Sequence, residues 1–452
     1  MNQGGFKDKT FYEKCKSFVI GTFDLLSNYL GKGESIPNDI VQDISIESDS
    51  LWVYKYRFVP LLWHITYRHA KEIGNLRESI DLREYMVNNP ILNKQINHMV
   101  GYAAMKTHVD ADRILDSLLY QSFDEAKPFK FNADLFDSIY NKVEDLFYSK
   151  SIKFIVSATL QNFECEKEEL CLSDDLRIVK MTPKEREDLW RGSRYSSWLP
   201  DNLIPFFKYR IQQKFEKPKY IEETPIDASK NVLNENPHDI ARDKFNNVVT
   251  ALRLFKSGIV GFSMVMTIPI TWFPIGGGYS SRRGEHVQCD KYFLTEAETN
   301  NFEAFFTKFI MDKSASNTQS FIELALDRFN YAYDRKRPED KLIDYMIAFE
   351  TLYLKKEDEG EYGYRMSMRV ASLLGKIPDE RKQIFLDLKK AYRLRSKIVH
   401  GSKKIDNNKL ISVHKVSKIE QHLRRSIQEF ISLNRNRSHD EIIDSLDEIL
   451  LS

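Results

Sequence analysis

The sequence predicts an α+β multidomain protein: a mostly helical N-terminal region (1–126), a mixed α/β middle domain (127–295) and a C-terminal all-α helical bundle (296–452). Three observations lead there. At 452 residues the chain is longer than one core usually holds, so two or three domains are expected. With 42% apolar residues, 29 Phe and 22 Tyr, it can fill real cores and leaves little room for extended disorder. The hydrophobic period also changes along the chain, from helical spacing to strand-like runs near residue 129 and back to helical spacing near 295.

Within the first region, Tyr67–Met86 and Ala111–Phe123 carry helix formers with apolar residues three and four apart, behind an irregular start. A turn around Lys127-Pro128 closes it. Ser151–Leu160 and Leu176–Lys180 read as strands. Thr182-Pro183-Lys-Glu185 reads as a helix start, with a capping Thr, Pro at the first helical position and acid in the first turn. A short helix is expected over Val248–Lys256. The uncharged stretch Gly258–Ser281 is broken by Pro269 and Pro274, so it reads as a buried strand and a loop rather than a membrane span. Helices are then expected near 296–311, 319–334, 339–355, 363–375, 379–400, 408–434 and 439–450. Pro338 and Pro378 mark starts, and Gly375 and Gly401 mark ends.

Several function classes find no support. None of the four cysteines forms a CxxC pair, and no Cys/His spacing suits a metal, so reduced structural thiols, no metal and no cofactor are expected. His64, His69, His98 and His108 are scattered and read as surface or packing residues. The first residues show no apolar run of leader length, so a cytoplasmic protein without a membrane partner is expected. Gly276-Gly-Gly-Tyr-Ser-Ser-Arg282-Arg283-Gly284 lacks a P-loop pattern and reads as a hairpin tip.

The net charge of +1 hides an asymmetry. Between Arg381 and Arg437 there are 16 Lys/Arg against 4 Asp/Glu, a local +12. A positive field concentrated in one segment suits a polyanion. Inside it lies Ala391-Tyr-Arg-Leu-Arg-Ser-Lys-Ile-Val-His400-Gly401. Arg395, a phosphate-binding cation, and His400, a titratable acid/base group, are expected to be held together there. Ile384, Leu388, Ala391, Tyr392, Ile398 and Val399 form an expected apolar stripe that includes Arg395. Glu350 falls on the stripe Ile343, Ile347, Leu354 of the helix 339–355, and Arg369 on the stripe Met366, Val370, Leu373 of the helix 363–375. An acid and two arginines on apolar faces are candidate mutual partners, Glu350 with Arg395 first. These residues could equally do no more than tie a bundle together.

The segments Ala325-Leu-Asp-Arg-Phe-Asn330, Lys341–Tyr353, Arg369–Gly375 and Tyr392–Gly401 occur in the order seen in the Apea-like subgroup of the HEPN superfamily, which residues 319–430 resemble. Leu160–Phe163, Leu176–Thr182 and Ala251–Gly258 resemble the region that precedes this domain in such proteins. Four ordered segments are more specific than the six-residue motif alone. The resemblance implies a HEPN-like bundle that dimerises, with a ribonuclease site built from the R-x4-6-H motifs of both subunits. Arg395 and His400 would be its catalytic pair, with Glu350, Arg369, Ser396 and Tyr392 supporting. The residue after the arginine is often Asn, Asp or His in active members; here it is Ser396. Members include ribonucleases of toxin–antitoxin and phage-defence systems, and inert proteins.

The expected activity is therefore metal-independent endoribonuclease action by 2′-hydroxyl attack, in antiphage defence by abortive infection or in toxin-like growth arrest. RNA (tRNA included), a second copy of the chain, and a phage-derived trigger or regulatory protein are the expected partners. Lys397, Lys403 and Lys404 are candidate RNA contacts. The competing expectation is a non-catalytic HEPN module that binds RNA, nucleotide or a protein.

Overall fold

A computed structural model describes the chain apart from residues 1–5, 49–51, 103–104, 125–126, 128, 194–206, 223–235, 271–278, 281–290, 316–319, 401–412 and 452. The protein is mixed α/β and divides into two compact units. The first comprises residues 1–160, 174–243 and 263–283; the second comprises 161–173, 244–262 and 284–452. This division differs from the three expected segments. Most of the middle segment groups with the N-terminal residues, while 161–173 and 244–262 group with the C-terminal helices.

The first unit opens with α1 (Lys9–Gly31), where an irregular start was expected. Asp8 caps it by accepting a hydrogen bond from the Phe11 amide at 2.9 Å. Phe11, Cys15, Phe18, Val19, Phe23 and Leu26 form its buried stripe. A hairpin follows, β1 (Asn38–Ile46) and β2 (Trp52–Pro60), paired from Asn38↔Pro60 to Ile46↔Trp52. After it come α2 (Leu62–Arg68), α3 (Ala70–Gly74), α4 (Arg77–Asn88) and α5 (Pro90–Asn93). A second hairpin, β3 (His98–Tyr102) and β4 (Met105–Val109), leads to α6 (Ala111–Ser122) and α7 (Ala133–Tyr148). Helices thus dominate this region, as expected, but two hairpins interrupt them. His69 is buried, stacked on Tyr29 at 3.7 Å and hydrogen-bonded to Glu34 at 2.9 Å, a packing residue as expected.

The expected strands appear as β5 (Ser151–Gln161) and β8 (Leu176–Lys180). Between them lie β6 (Phe163–Cys165) and β7 (Glu169–Cys171). The expected helix start becomes α8 (Pro183–Ser193), capped reciprocally: the Thr182 amide donates to Glu185 Oε2 at 2.8 Å and the Glu185 amide to Thr182 Oγ1 at 3.2 Å. Next come β9 (Tyr209–Pro218), β10 (Tyr220–Glu222), α9 (Pro237–Phe255), β11 (Gly261–Pro269) and β12 (Tyr279–Ser280). Within the first unit the strand order is β12-β11-β5-β9-β8, and β10 pairs antiparallel with β3. The glycines at 276–278 and 284 and the arginines at 282 and 283 lie outside the described residues. No helix among the described residues is long and apolar enough to cross a membrane.

In the second unit, β13 (Tyr292–Leu294) pairs parallel with β6. Among the described residues seven helices then follow, at the seven expected places: α10 (Glu296–Ala315), α11 (Ser320–Asp334), α12 (Pro338–Tyr353), α13 (Tyr362–Leu374), α14 (Pro378–Val399), α15 (Val413–Leu433) and α16 (His439–Leu451). The same S/T-x-x-E device caps α10 through Thr295 and Glu298, and α16 through Ser438 and Glu441. Pro338 and Pro378 occupy the first turns of α12 and α14. Gly375 ends α13 at φ −86°, so no left-handed turn requires it. A Cβ there would lie 2.5 Å from Arg381 Cγ and 2.8 Å from its amide, and that close approach is what glycine permits. Arg253 and Gln161–Phe163, which lie in the expected middle segment, belong here. The Arg253 guanidinium donates to Val260 O at 3.0 Å and Asn330 Oδ1 at 2.9 Å, and lies 4.3 Å over the Tyr333 ring.

Candidate active site

The site is organised by α14. Its core face carries Ile384, Leu388 and Ala391, all buried. The expected stripe ends there. Tyr392, Arg395, Ser396 and Ile398 are half-buried, and Val399 is 53% exposed. Arg395 therefore sits at the margin of the core rather than within it.

Glu350 reaches Arg395 from α12, as the sequence suggested. Arg395 Nη2 donates to Glu350 Oε2 at 3.3 Å, and each side chain is about a quarter exposed. The geometry of α12 differs from expectation, however. Its buried face carries Leu342, Tyr345, Met346, Phe349, Leu352 and Tyr353, while Ile343, Ile347, Glu350 and Leu354 form a half-buried flank. The helix is apolar nearly all round, so spacing alone could not say which stripe faces the core. Burial raises the Glu350 carboxyl above its usual range, and the Arg395 charge opposes that rise. Arg395 Nε is buried without a hydrogen-bond partner. An unmet buried donor costs on the order of 1–3 kcal/mol, so the guanidinium is held but incompletely satisfied.

Tyr392 lies one turn before Arg395. Its ring packs against Gly363 of α13 so closely that a Cβ there would lie 2.4 Å from Tyr392 Cδ1. Burial and the Glu350 charge raise the Tyr392 hydroxyl pKa, with Arg395 opposing. Glu350, Tyr392 and Arg395 thus form one electrostatic group.

His400 does not join that group. It is the C-cap of α14, with its amide on Ser396 O at 3.0 Å and its exposed ring without a partner among the described residues. Five residues along an α-helix are about 140° around its axis, which places Arg395 and His400 on different sides of α14. The expectation that the pair is held together locally fails for this reason. The His400 ring instead ends a different stripe, Lys390, Arg393 and Lys397, all exposed.

Arg369 is engaged elsewhere. It is 3% exposed and bonds Asp358 through Nη1 at 2.6 Å and Nη2 at 3.1 Å. Nε and Nη2 also reach the Asp447 carboxylate, both at 2.7 Å, and Nη1 donates to Tyr353 O at 2.8 Å. It clamps α13 to the end of α12, the following loop and α16, and does not meet Glu350. Lys397 is exposed; Lys403, Lys404, Lys409 and Gly401 lie outside the described residues.

Sequence reading also missed the paired acids Asp344 and Asp387. Asp344, 2% exposed, accepts from Arg328 at 3.2 Å and Arg335 at 2.8 Å. Asp387 takes Lys418 at 2.8 Å and stands 3.6 Å from buried His422, whose pKa is lowered by burial with Asp387 opposing. Helical spacing contained both carboxylates, but not their partners elsewhere in the chain. Among the described residues no group of three or more His, Cys, Asp or Glu is arranged to hold a metal. No protein-family model, curated protein or solved structure matches the chain.

Proposed function

We propose that the chain is a metal-independent endoribonuclease of HEPN type that acts as a homodimer in the cytoplasm, in antiphage defence or toxin-like growth arrest. The observation that carries this reading is a guanidinium, Arg395, held by a buried-side carboxylate on the helix that ends in an exposed, unpartnered imidazole, His400. Their placement on different sides of α14 supports a site completed by a second copy, in which residues of two helices meet one phosphate. Exposed Val399, Tyr362 and Tyr364 on the α13–α14 hairpin supply apolar surface for that contact.

The chemistry follows from the groups. One His400 takes the proton of the RNA 2′-hydroxyl, and the freed oxygen attacks the adjacent phosphorus. The 5′-oxygen leaves with a proton from the partner's His400. The products are a 2′,3′-cyclic phosphate and a 5′-hydroxyl. The Arg395 guanidiniums carry the added charge on the phosphoryl oxygens, bidentately where a lysine would give a point charge. Each proton transfer contributes on the order of 10²–10⁴-fold. Glu350 positions Arg395. The first unit serves as the sensor for a phage-derived trigger or regulatory protein.

The test is cleavage of total RNA and tRNA by the purified full chain, with sequencing of the new ends. Expected are 2′,3′-cyclic phosphate ends, unchanged by EDTA and lost in His400→Ala and Arg395→Ala. If the wild type cuts nothing, alone or with extract of infected cells, and His400→Ala leaves cellular toxicity unchanged, the reading fails. A non-catalytic module binding RNA, nucleotide or protein then takes its place.

A further inference from the structure

Lys390, Arg393, Lys397 and His400 recur at intervals of three and four, so they share one face of α14. At about 1.5 Å per residue they stand roughly 4.5–6 Å apart along the axis. All four are exposed. Four other cations of the +12 segment are already ion-paired. Lys418 pairs with Asp387 at 2.8 Å, Arg425 with Glu380 at 3.3 Å and Arg435 with Asp312 at 3.0 Å; Arg424 pairs with Glu420. Lys390, Arg393 and Lys397 have no acidic or hydrogen-bonding partner among the described residues, and like charges at this spacing repel one another. The stripe is thus a row of unspent positive charge that leads to His400.

The stripe borders a cavity of about 360 Å³. Leu342, Leu394, Val416 and Ile419 form its apolar wall, and Lys390, Arg393 and Lys397 its rim. That volume lies at the small end of ligand sites, enough for one ring system rather than a long chain. Its one acid, Asp387, is ion-paired with Lys418 at 2.8 Å and accepts a hydrogen bond from Gln383 on Oδ1 at 2.8 Å. The charge of the cavity's acid is thus already countered by Lys418.

We propose that the RNA strand beside the scissile phosphate lies along this face, with successive phosphates on Lys390, Arg393 and Lys397 and one base in the cavity. This rests on the ribonuclease reading. A regular row of free cations beside an apolar hollow fits a polyanion with uncharged flat side groups. An acidic peptide has no group for the hollow, and a fatty acid has one charge for three cations. The site sets the path of the strand.

The experiment uses the full chain carrying His400→Ala, so that RNA is not consumed, and a fluorescein-labelled uridine oligonucleotide followed by anisotropy across a salt series. Adding Lys390→Gln, Arg393→Gln and Lys397→Gln is expected to weaken binding on the order of tenfold or more. The slope of log affinity against log salt should fall by about 2, since each phosphate contact on a single strand accounts for about 0.7. Leu394→Trp, which fills the hollow, should weaken binding without changing the slope. All three cations are exposed, so an unchanged melting temperature confirms that the variants fold. Affinity and slope unchanged in the triple variant overturn the strand path, as does competition by poly-glutamate or free uridine monophosphate as strong as by RNA. Wild type that cuts RNA while the triple variant binds normally rejects the path alone. Binding that depends on the stripe in a chain that never cuts rejects the nuclease reading alone.

Discussion

Replacing Arg369 with methionine should cost the second unit about 3 kcal/mol. The guanidinium is 3% exposed and bridges two carboxylates of unequal burial: the Asp358 side chain is 6% exposed and that of Asp447 42%. Removing one partner of a buried pair costs on the order of 3–5 kcal/mol, because the charge left behind is uncompensated. Asp447 can rehydrate, and Arg365 remains 3.2 Å from Asp358, so the lower end of that range applies. For a domain of about 150–250 residues, 1 kcal/mol moves the melting temperature by roughly 2–4 °C, giving a drop of about 6–12 °C. The acid limb supplies a second readout. Burial would raise the Asp358 pKa, but the hydrogen bonds from Arg369 and the Lys355 amide outweigh it and hold the pKa below the ordinary value. A depressed folded-state pKa means stability that is present above the unfolded value, about 4, and lost as pH falls through the folded one. Scanning calorimetry of the full chain at pH 7 and down to pH 3 should show that loss in the wild type and a smaller one in Arg369→Met. Adding Asp358→Asn to Arg369→Met should restore part of the stability. A loss below about 1 kcal/mol, or no recovery in the double variant, refutes the clamp.

Two further outcomes bear on the site. Gly363→Ala places a methyl 2.4 Å from the Tyr392 ring and should cost about 1–3 kcal/mol by overpacking, with Tyr392→Ala in the same chain removing most of the penalty in denaturant titrations. The Glu350 carboxyl, raised by burial with Arg395 opposing, binds its proton more tightly when folded, so stability falls as pH rises from the ordinary carboxylate value through the raised one. Glu350→Gln should abolish that fall, and identical pH profiles for the two proteins would mean that Glu350 is not desolvated.

The C-terminal helices were legible because their signals are local: prolines at first turns, Ser/Thr-x-x-Glu boxes and a 3.6-residue period. The Glu350–Arg395 pair was legible because both residues interrupt apolar spacing. Helix α1 carried an equally plain stripe at 11, 15, 18, 19, 23 and 26, so its signal was present and passed over. The β1–β2 hairpin was harder. On β1 only Ile44 and Ile46 carry the buried alternation, with polar Gln42 before them, and Tyr54, Tyr56 and Phe58 on β2 stay exposed, so the buried face is too short to stand out in the pattern. The partners of Arg369 come from Asp358 and Asp447, 11 and 78 residues away, and no one-dimensional period reports such a meeting.

Charge shows most clearly how folding divides what a sequence pools. The +12 count treats every lysine and arginine from 381 to 437 alike. Once folded, Arg424 is spent on Glu420 and the Arg253 carbonyl, Arg425 on Glu380 and the Leu374 carbonyl, and Lys418 on Asp387. Those cations hold helices together and offer little to a ligand. Arg395 is intermediate, bound by one hydrogen bond and still partly exposed. Lys390, Arg393 and Lys397 keep their full charge facing water. In the proposed RNA path, a phosphate entering along them meets the free cations first, then the unpartnered His400 ring. Arg395 lies round the helix, and under the proposed function it meets the same phosphate only from another copy. On the proposed ribonuclease reading, the chain binds RNA as a monomer and cuts it only as a dimer, so binding and cleavage should depend differently on protein concentration. Cleavage rate per chain should rise with concentration until dimers saturate, while RNA affinity stays flat. A cleavage rate per chain that is constant over the same dilution series would place both catalytic groups in one copy, against the geometry of α14.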